Sequence, residues 1–131
     1  MSHFTTIQTQ IRDIDALRDA CSELGLELLQ NAEARGFSQN RRQGEYVIRL
    51  KGPYDVAVNR EEGGESKGRS TYGLTTDWWD GHVEREVGPK YGRLLQLYGV
   101  HKTTREARRQ RYRVTRKLEQ DGSIALSLHQ M

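Results

Sequence analysis

The chain has 131 residues, 34% hydrophobic and 30% charged, with a formal net charge of only +3. That length suits one domain with a single core, and an excess this small does not by itself argue for nucleic-acid binding. Cys21 is the only cysteine, which excludes an internal disulfide and a cysteine cage for a metal made by one chain.

The mean hydropathy is −0.87, and no apolar run approaches the roughly 20 residues that span a bilayer. The opening residues lack the basic region and apolar core of a secretory signal. The expectation is a soluble, cytoplasmic protein with no membrane segment.

Residues 3–11 alternate, with Ile7 and Ile11 on one face, and predict a strand. Asp13 then has the short carboxylate of an N-cap. Ile14, Leu17, Cys21 and Leu24 follow at helical spacing and Gly25 supplies a left-handed stop, so this is the clearest helix. Residues 26–29 are dense in leucine and begin a second strand. Residues 31–44 are polar, interrupted by Gly36 and Gly44, and read as a loop or a ragged hairpin.

Two alternating segments, 46–50 and 54–59, flank a turn at Lys51-Gly52-Pro53. Residues 61–68 hold no apolar side chain, so 60–70 is the segment expected to be mobile. Residues 72–76 make another strand, ending at Asp77-Trp78-Trp79-Asp80. From Val83 to Tyr98 a 3.6-residue period returns, with Asp80 as the expected cap. Gly88-Pro89 predicts a kink or restart before the helix runs on to about Arg109.

The chain closes with 112–119 and 123–129 around Gln120-Asp121-Gly122, a strong hairpin signal. The predicted class is α+β, in the order β-α-β-β-β-β-α-β-β. It comprises a mainly antiparallel sheet with two helices on one face, a ferredoxin-like variant being one possible arrangement.

Adjacent strand residues point to opposite sides, so Trp78 and Trp79 cannot both enter the core. One is expected to be exposed or covered by a partner, where a large aromatic dominates affinity; packing of one on the sheet and the other under the second helix is the structural alternative. Asp77, Asp80 and Glu84 lack the glycine-defined loop and full oxygen shell of a calcium site.

The stretch 102–117 carries Lys102, Arg105, Arg108, Arg109, Arg111, Arg113, Arg116 and Lys117 against Glu106 alone. Arginine beside Tyr112 suits phosphate contact with base stacking, although cations also complement a helix C-terminus. His3, His82, His101 and His129 show no metal-binding spacing, and His3 meets His129 only if the terminal strands pair. No nucleophile elbow, P-loop or dinucleotide fingerprint is present. Cys21 sits in the apolar stripe of the first helix, so packing explains it.

The opening Met1-Ser2-His3-Phe4-Thr5-Thr6-Ile7-Gln8-Thr9-Gln10-Ile11-Arg12-Asp13 resembles the start of a family of small uncharacterised proteins. The resemblance places that family in cyanobacteria, in algal plastid genomes as a Ycf-type hypothetical reading frame, and in other bacteria. Ala32-Glu33-Ala34-Arg35-Gly36, Asp77-Trp78-Trp79 and Gln120-Asp121-Gly122-Ser123-Ile124 fit it as well. It implies an accessory role, with no activity, cofactor or catalytic residue to carry over.

The leading expectation is a non-enzymatic adaptor that binds another protein through Asp77, Trp78, Trp79, Tyr91 and Tyr98. The alternative is a nucleic-acid-binding module using Lys102, Arg105, Arg108, Arg109, Arg111 and Arg113, with Arg41 and Arg42 as further candidates. Exposed edge strands are compatible with a homo-oligomer.

Overall fold

A computed structural model describes residues 3–61 and 71–131. Its elements run β1 (Phe4–Gln8), α1 (Ile14–Glu23), β2 (Glu27–Arg35), β3 (Arg41–Arg49), β4 (Val56–Glu61), β5 (Thr71–Asp77), α2 (Glu84–Val87), α3 (Gly92–Arg109), β6 (Tyr112–Leu118) and β7 (Ile124–Gln130). The class is α+β and the order is the one expected. Five strands form an antiparallel sheet, β1-β5-β4-β3-β2, and β6 and β7 form a separate hairpin. Of the arrangements this order allows, the chain takes the meander rather than the ferredoxin-like one, because β1 stands at an edge.

Both long helices cover one face of the sheet. Leu17, Ala20 and Cys21 of α1 and Leu94, Leu97 and Tyr98 of α3 close over Ile48, Val56, Val58 and Leu74. Asp13 caps α1 as expected, its carboxylate accepting from the Ala16 N–H at 3.1 Å. Tyr98 reinforces that end, since its hydroxyl accepts from the Arg12 and Asp13 N–H groups at 3.0 and 3.1 Å. It thereby satisfies donors that no intrahelical carbonyl reaches.

The opposite face is covered by the chain itself. Where a loop or ragged hairpin was expected over 31–44, β2 and β3 continue as a long hairpin. It bends at Asn31, which adopts a φ of 50°, and at Gly44, where a Cβ would lie 2.3 Å from the Tyr46 carbonyl. Beyond the bend Ala32 and Ala34 press on Val47 and Ala57. Small side chains are needed there because backbone approaches backbone. At the bend the Asn59 side chain accepts from the Glu45 N–H and donates to the Gln43 carbonyl, standing in for the ladder that β3 leaves.

The connection between β3 and β4 is longer than a tight turn, because it wraps the carboxylate of Asp55. That group is fully buried and accepts from the Arg35 N–H, from Arg35 Nε and Nη2, and from the Leu50 N–H, at 2.8–3.1 Å. Arg35 Nη2 also donates to the Leu50 and Gly52 carbonyls.

The second helical region restarts, one of the two outcomes expected at Gly88-Pro89. α2 is one turn, Gly88 takes a φ of 84°, and α3 begins only at Gly92. Pro89 has no N–H to continue the ladder, and a Cβ at position 88 would lie 2.8 Å from the Arg93 nitrogen. The expected cap at Asp80 is not formed. Asp80 lies in a 3-10 turn at φ 58°, and α2 has no side-chain cap.

Of the segment expected to be mobile, Arg60 and Glu61 extend β4, and the rest lies outside the described residues. β1 pairs with β5 and β7 with β6, so the terminal strands do not meet and His3 stays apart from His129.

Replacing Asp55 by Ala is expected to lower the unfolding free energy by about 3 kcal/mol, since the guanidinium of Arg35 loses its buried counter-charge and four donors lose their acceptor together. Urea unfolding should show a lower midpoint at unchanged slope, and Asp55→Asn, which keeps one acceptor oxygen, should lose less.

Candidate functional site: an exposed aromatic pair and a basic helix end

β5 ends in the core, and the last residue of the strand organises the turn beyond it. Asp77 is 1% exposed. One of its carboxylate oxygens accepts from the Phe37 N–H and the other from the Trp79 N–H, each at 3.0 Å. The tip of the bent β2–β3 hairpin is thus tied to the turn after β5. Gly36 allows this approach, because a Cβ there would lie 2.6 Å from the Phe4 ring.

The two tryptophans part as expected, but through the turn beyond β5 rather than by strand alternation, because β5 ends at Asp77 and Trp79 opens a 3-10 turn. Trp78 packs inward against Tyr91, ring centroids 4.7 Å apart. Trp79 points out, 46% exposed, with Phe37 edge-on to it at 5.9 Å and 42% exposed. The result is a pair of exposed aromatic rings held from beneath by one carboxylate.

Tyr91 and Tyr98, expected to share a contact surface with the tryptophans, lie in the core instead. Tyr91 is fully buried, and its φ of 65° follows Lys90 at 50°. Left-handed backbone at non-glycine residues costs roughly 1–2 kcal/mol each, offset by burying the largest fully buried side chain against Trp78. Burial pushes the Tyr91 hydroxyl up from its ordinary 10.0, and that hydroxyl meets no hydrogen-bond partner among the described residues.

Phe37 was not foreseen as a site residue. Its signal was present: it is the one large apolar side chain between Leu29 and Tyr46, directly after a glycine. A lone aromatic at a hairpin tip has no core to enter.

The basic stretch divides into two populations. Arg105 is hydrogen-bonded to Asp19 of α1, and Arg116 reaches Glu23 at 3.0 Å, where His101 also sits at 2.7 Å. These contacts staple α3 and β6 to α1 beside an open groove of about 880 Å³ that Arg108 and Arg109 also line. The Arg105 hydrogen bond is the chief reason that the Asp19 carboxyl sits below its ordinary 3.8, with burial opposing it. At Glu23 burial pushes the carboxyl up, but Arg116 and His101 outweigh it and the net direction is down.

Lys102, Arg108, Arg109, Arg111, Arg113 and Lys117 make no ion pair among the described residues. Arg113 and Lys117 share the outward face of the β6–β7 hairpin. Tyr112 is on the other face, beside Ala107 of α3 and the following Gln110, so the expected interleaving of arginine with a stacking ring is not formed there.

Cys21 is buried in α1, and burial pushes its thiol up to about 12. It is therefore a packing group at neutral pH. No group of three His, Cys, Asp or Glu side chains placed to hold a metal occurs among the described residues, and no helix there is long and apolar enough to cross a membrane.

The molecule is thus an α+β domain whose sheet is helix-covered on one face and covered by its own hairpin on the other. A family model described as "Protein of unknown function (DUF1257)" matches residues 20–127, and the chain belongs to that family. Neither a curated protein nor a solved structure matches it.

A carboxyl whose pKa falls on folding contributes stability that is complete above its ordinary value and is lost as pH drops through the folded one. Arg105→Gln is therefore expected to be less stable than the parent at neutral pH and to converge on it below about 3.8. Denaturant unfolding repeated across pH reads this directly.

Proposed function

We propose that this domain is a non-enzymatic adaptor that binds another protein through the Phe37–Trp79 pair. The carrying observation is that Asp77 anchors the backbone of both residues while both rings stay exposed. Large aromatics dominate interface energetics, and holding them in place before binding removes part of the ordering cost of association. A structural role alone would turn the rings onto the core, as the fold does with the half-buried Trp78. The face that Phe37 and Trp79 present suits a partner with an apolar side chain able to pack over the joined rings.

The narrower kinship with Ycf-type plastid reading frames belongs to this proposal. It is supported most by the opening thirteen residues, which precede the matched span.

A second reading, a nucleic-acid-binding module, is favoured by the six cations from Lys102 to Lys117 that meet no carboxylate among the described residues. Against it stand the engagement of Arg105 and Arg116 by carboxylates and the inward turn of Tyr112.

Trp79→Ala and Phe37→Ala are each expected to leave the thermal midpoint within a few degrees of the parent while abolishing capture of the same host protein. Immobilised parent and variant domains, exposed to one host extract and compared by mass spectrometry, provide the measurement. Identical capture profiles would refute the adaptor reading. If nucleic acid is the ligand instead, binding to mixed oligonucleotides must weaken steeply with salt, and absence of binding at low salt removes that reading.

A further inference from the structure

We infer that β7 is a self-pairing edge, through which two copies of this chain join their β6–β7 hairpins into one four-stranded antiparallel sheet. An isolated two-stranded ribbon is marginal in water, and this one is only partly covered. Leu118 is 72% exposed and Leu128 48%, although both lie on the face turned to α3.

The two strands of the hairpin differ in what they present. β6 carries Arg113, Arg116 and Lys117, and such charges are how natural sheets block edge pairing. β7, Ile-Ala-Leu-Ser-Leu-His-Gln, has no Asp, Glu, Lys or Arg, no proline and no glycine over seven residues. β1 is also uncharged, but it has five residues and the hairpin tip lies against its Phe4. β2 presents Glu27, Glu33 and Arg35.

The hydrogen-bond phase of β7 matches the inference. At one end the Met131 N–H donates to the Arg111 carbonyl, and at the other the Glu119 N–H donates to the Ser123 carbonyl. Antiparallel pairs alternate between bonded and non-bonded. Residues 125, 127 and 129 therefore bond to β6, which leaves the N–H and C=O groups of Leu126 and Leu128 directed at the open edge.

A two-fold axis through Ser127 uses those groups. Leu126 of one copy then faces Leu128 of the other in a bonded pair, twice over, and Ser127 faces its own equivalent in a non-bonded pair. The half-exposed leucines join into one apolar stripe on the α3 side, and no like charges meet. β6 about its own centre, Thr115, would set Arg113 opposite Lys117, which is unfavourable. A β6-to-β7 contact is heterologous and does not close on itself. The second copy is thus the occupant that the charge pattern and the bonding phase both select.

The test is the mass in solution of the parent and of two variants of the full chain. Across a dilution series the parent should pass from two chains to one as it is diluted. Ser127→Lys adds like charges at the axis on an outward position, and should give the mass of one chain at loadings where the parent gives two. Ser127→Cys places two thiols in a non-bonded antiparallel pair, whose Cα separation of about 4.5 Å accepts a disulfide. It should form a covalent dimer under mild oxidation, whereas Ala125→Cys, displaced along the strand from its own copy, should not. The native Cys21 is buried and does not confuse the reading. A parent that has the mass of one chain at every soluble loading overturns the inference. So does a dimer whose Ser127→Cys form fails to cross-link, whatever becomes of the lysine variant.

Discussion

The fold depends on one buried carboxylate. Asp55 sits at the entrance to β4 and gathers the backbone and guanidinium of Arg35, the backbone of Leu50 and, at 3.6 Å, Arg49. A charge with no solvent is costly unless its lone pairs are filled, and here they are filled from the end of β2 and from the connection leading into β4. The same connection is held from the other side, because Glu86 of α2 accepts from the Lys51 and Gly52 N–H groups at 2.8 and 3.0 Å. Asp55 raises the affinity of Arg35 for its proton by direct hydrogen bonding, against the opposing effect of burial. The bent hairpin lies over the back of the sheet because this node sets where it must pass.

Asp77 repeats the device at the next strand end. One carboxylate again joins the hairpin to the sheet, but its donors belong to residues whose side chains face solvent. The two nodes differ in consequence. Asp55 closes the core, whereas Asp77 sets a pair of aromatic rings on the surface. Behind them, the left-handed pair Lys90 and Tyr91 turns the chain so that Tyr91 meets Trp78 and α3 can begin at Gly92. Backbone strain of this kind persists where surrounding packing over-determines it.

The basic stretch shows how charge counted along a chain differs from charge available at a surface. Arg105 and Arg116 are internal fasteners between α1, α3 and β6, and their carboxylate partners come from a helix more than eighty residues earlier in sequence. The remaining cations line the helix end and the outward face of the hairpin. Strand alternation puts Tyr112 and Val114 on one side and Arg113 on the other, so neighbours in sequence serve different surfaces.

Local pattern sufficed wherever the physics is local. The cap at Asp13, the stop at Gly25, the alternation in β4 and β5, and the Asp121-Gly122 hairpin depend on a few consecutive residues, and the element order and α+β class came from them. The parting of Trp78 and Trp79 was expected too, but the turn after Asp77, not strand alternation, is what separates them. What the tertiary structure alone decided involves partners distant in sequence. Residues 31–44 look like a loop because their strand is written in Ala32 and Ala34 against Glu33 and Arg35, small side chains whose purpose appears only once Ala57 lies beneath them. Tyr91 and Tyr98 keep a helical period that is the same for a surface stripe and for a core, and burial distinguished them. The choice of Trp79 as the exposed ring, and its union with Phe37, required Asp77 to face a hairpin tip forty residues away in sequence, a juxtaposition that no short window of sequence contains.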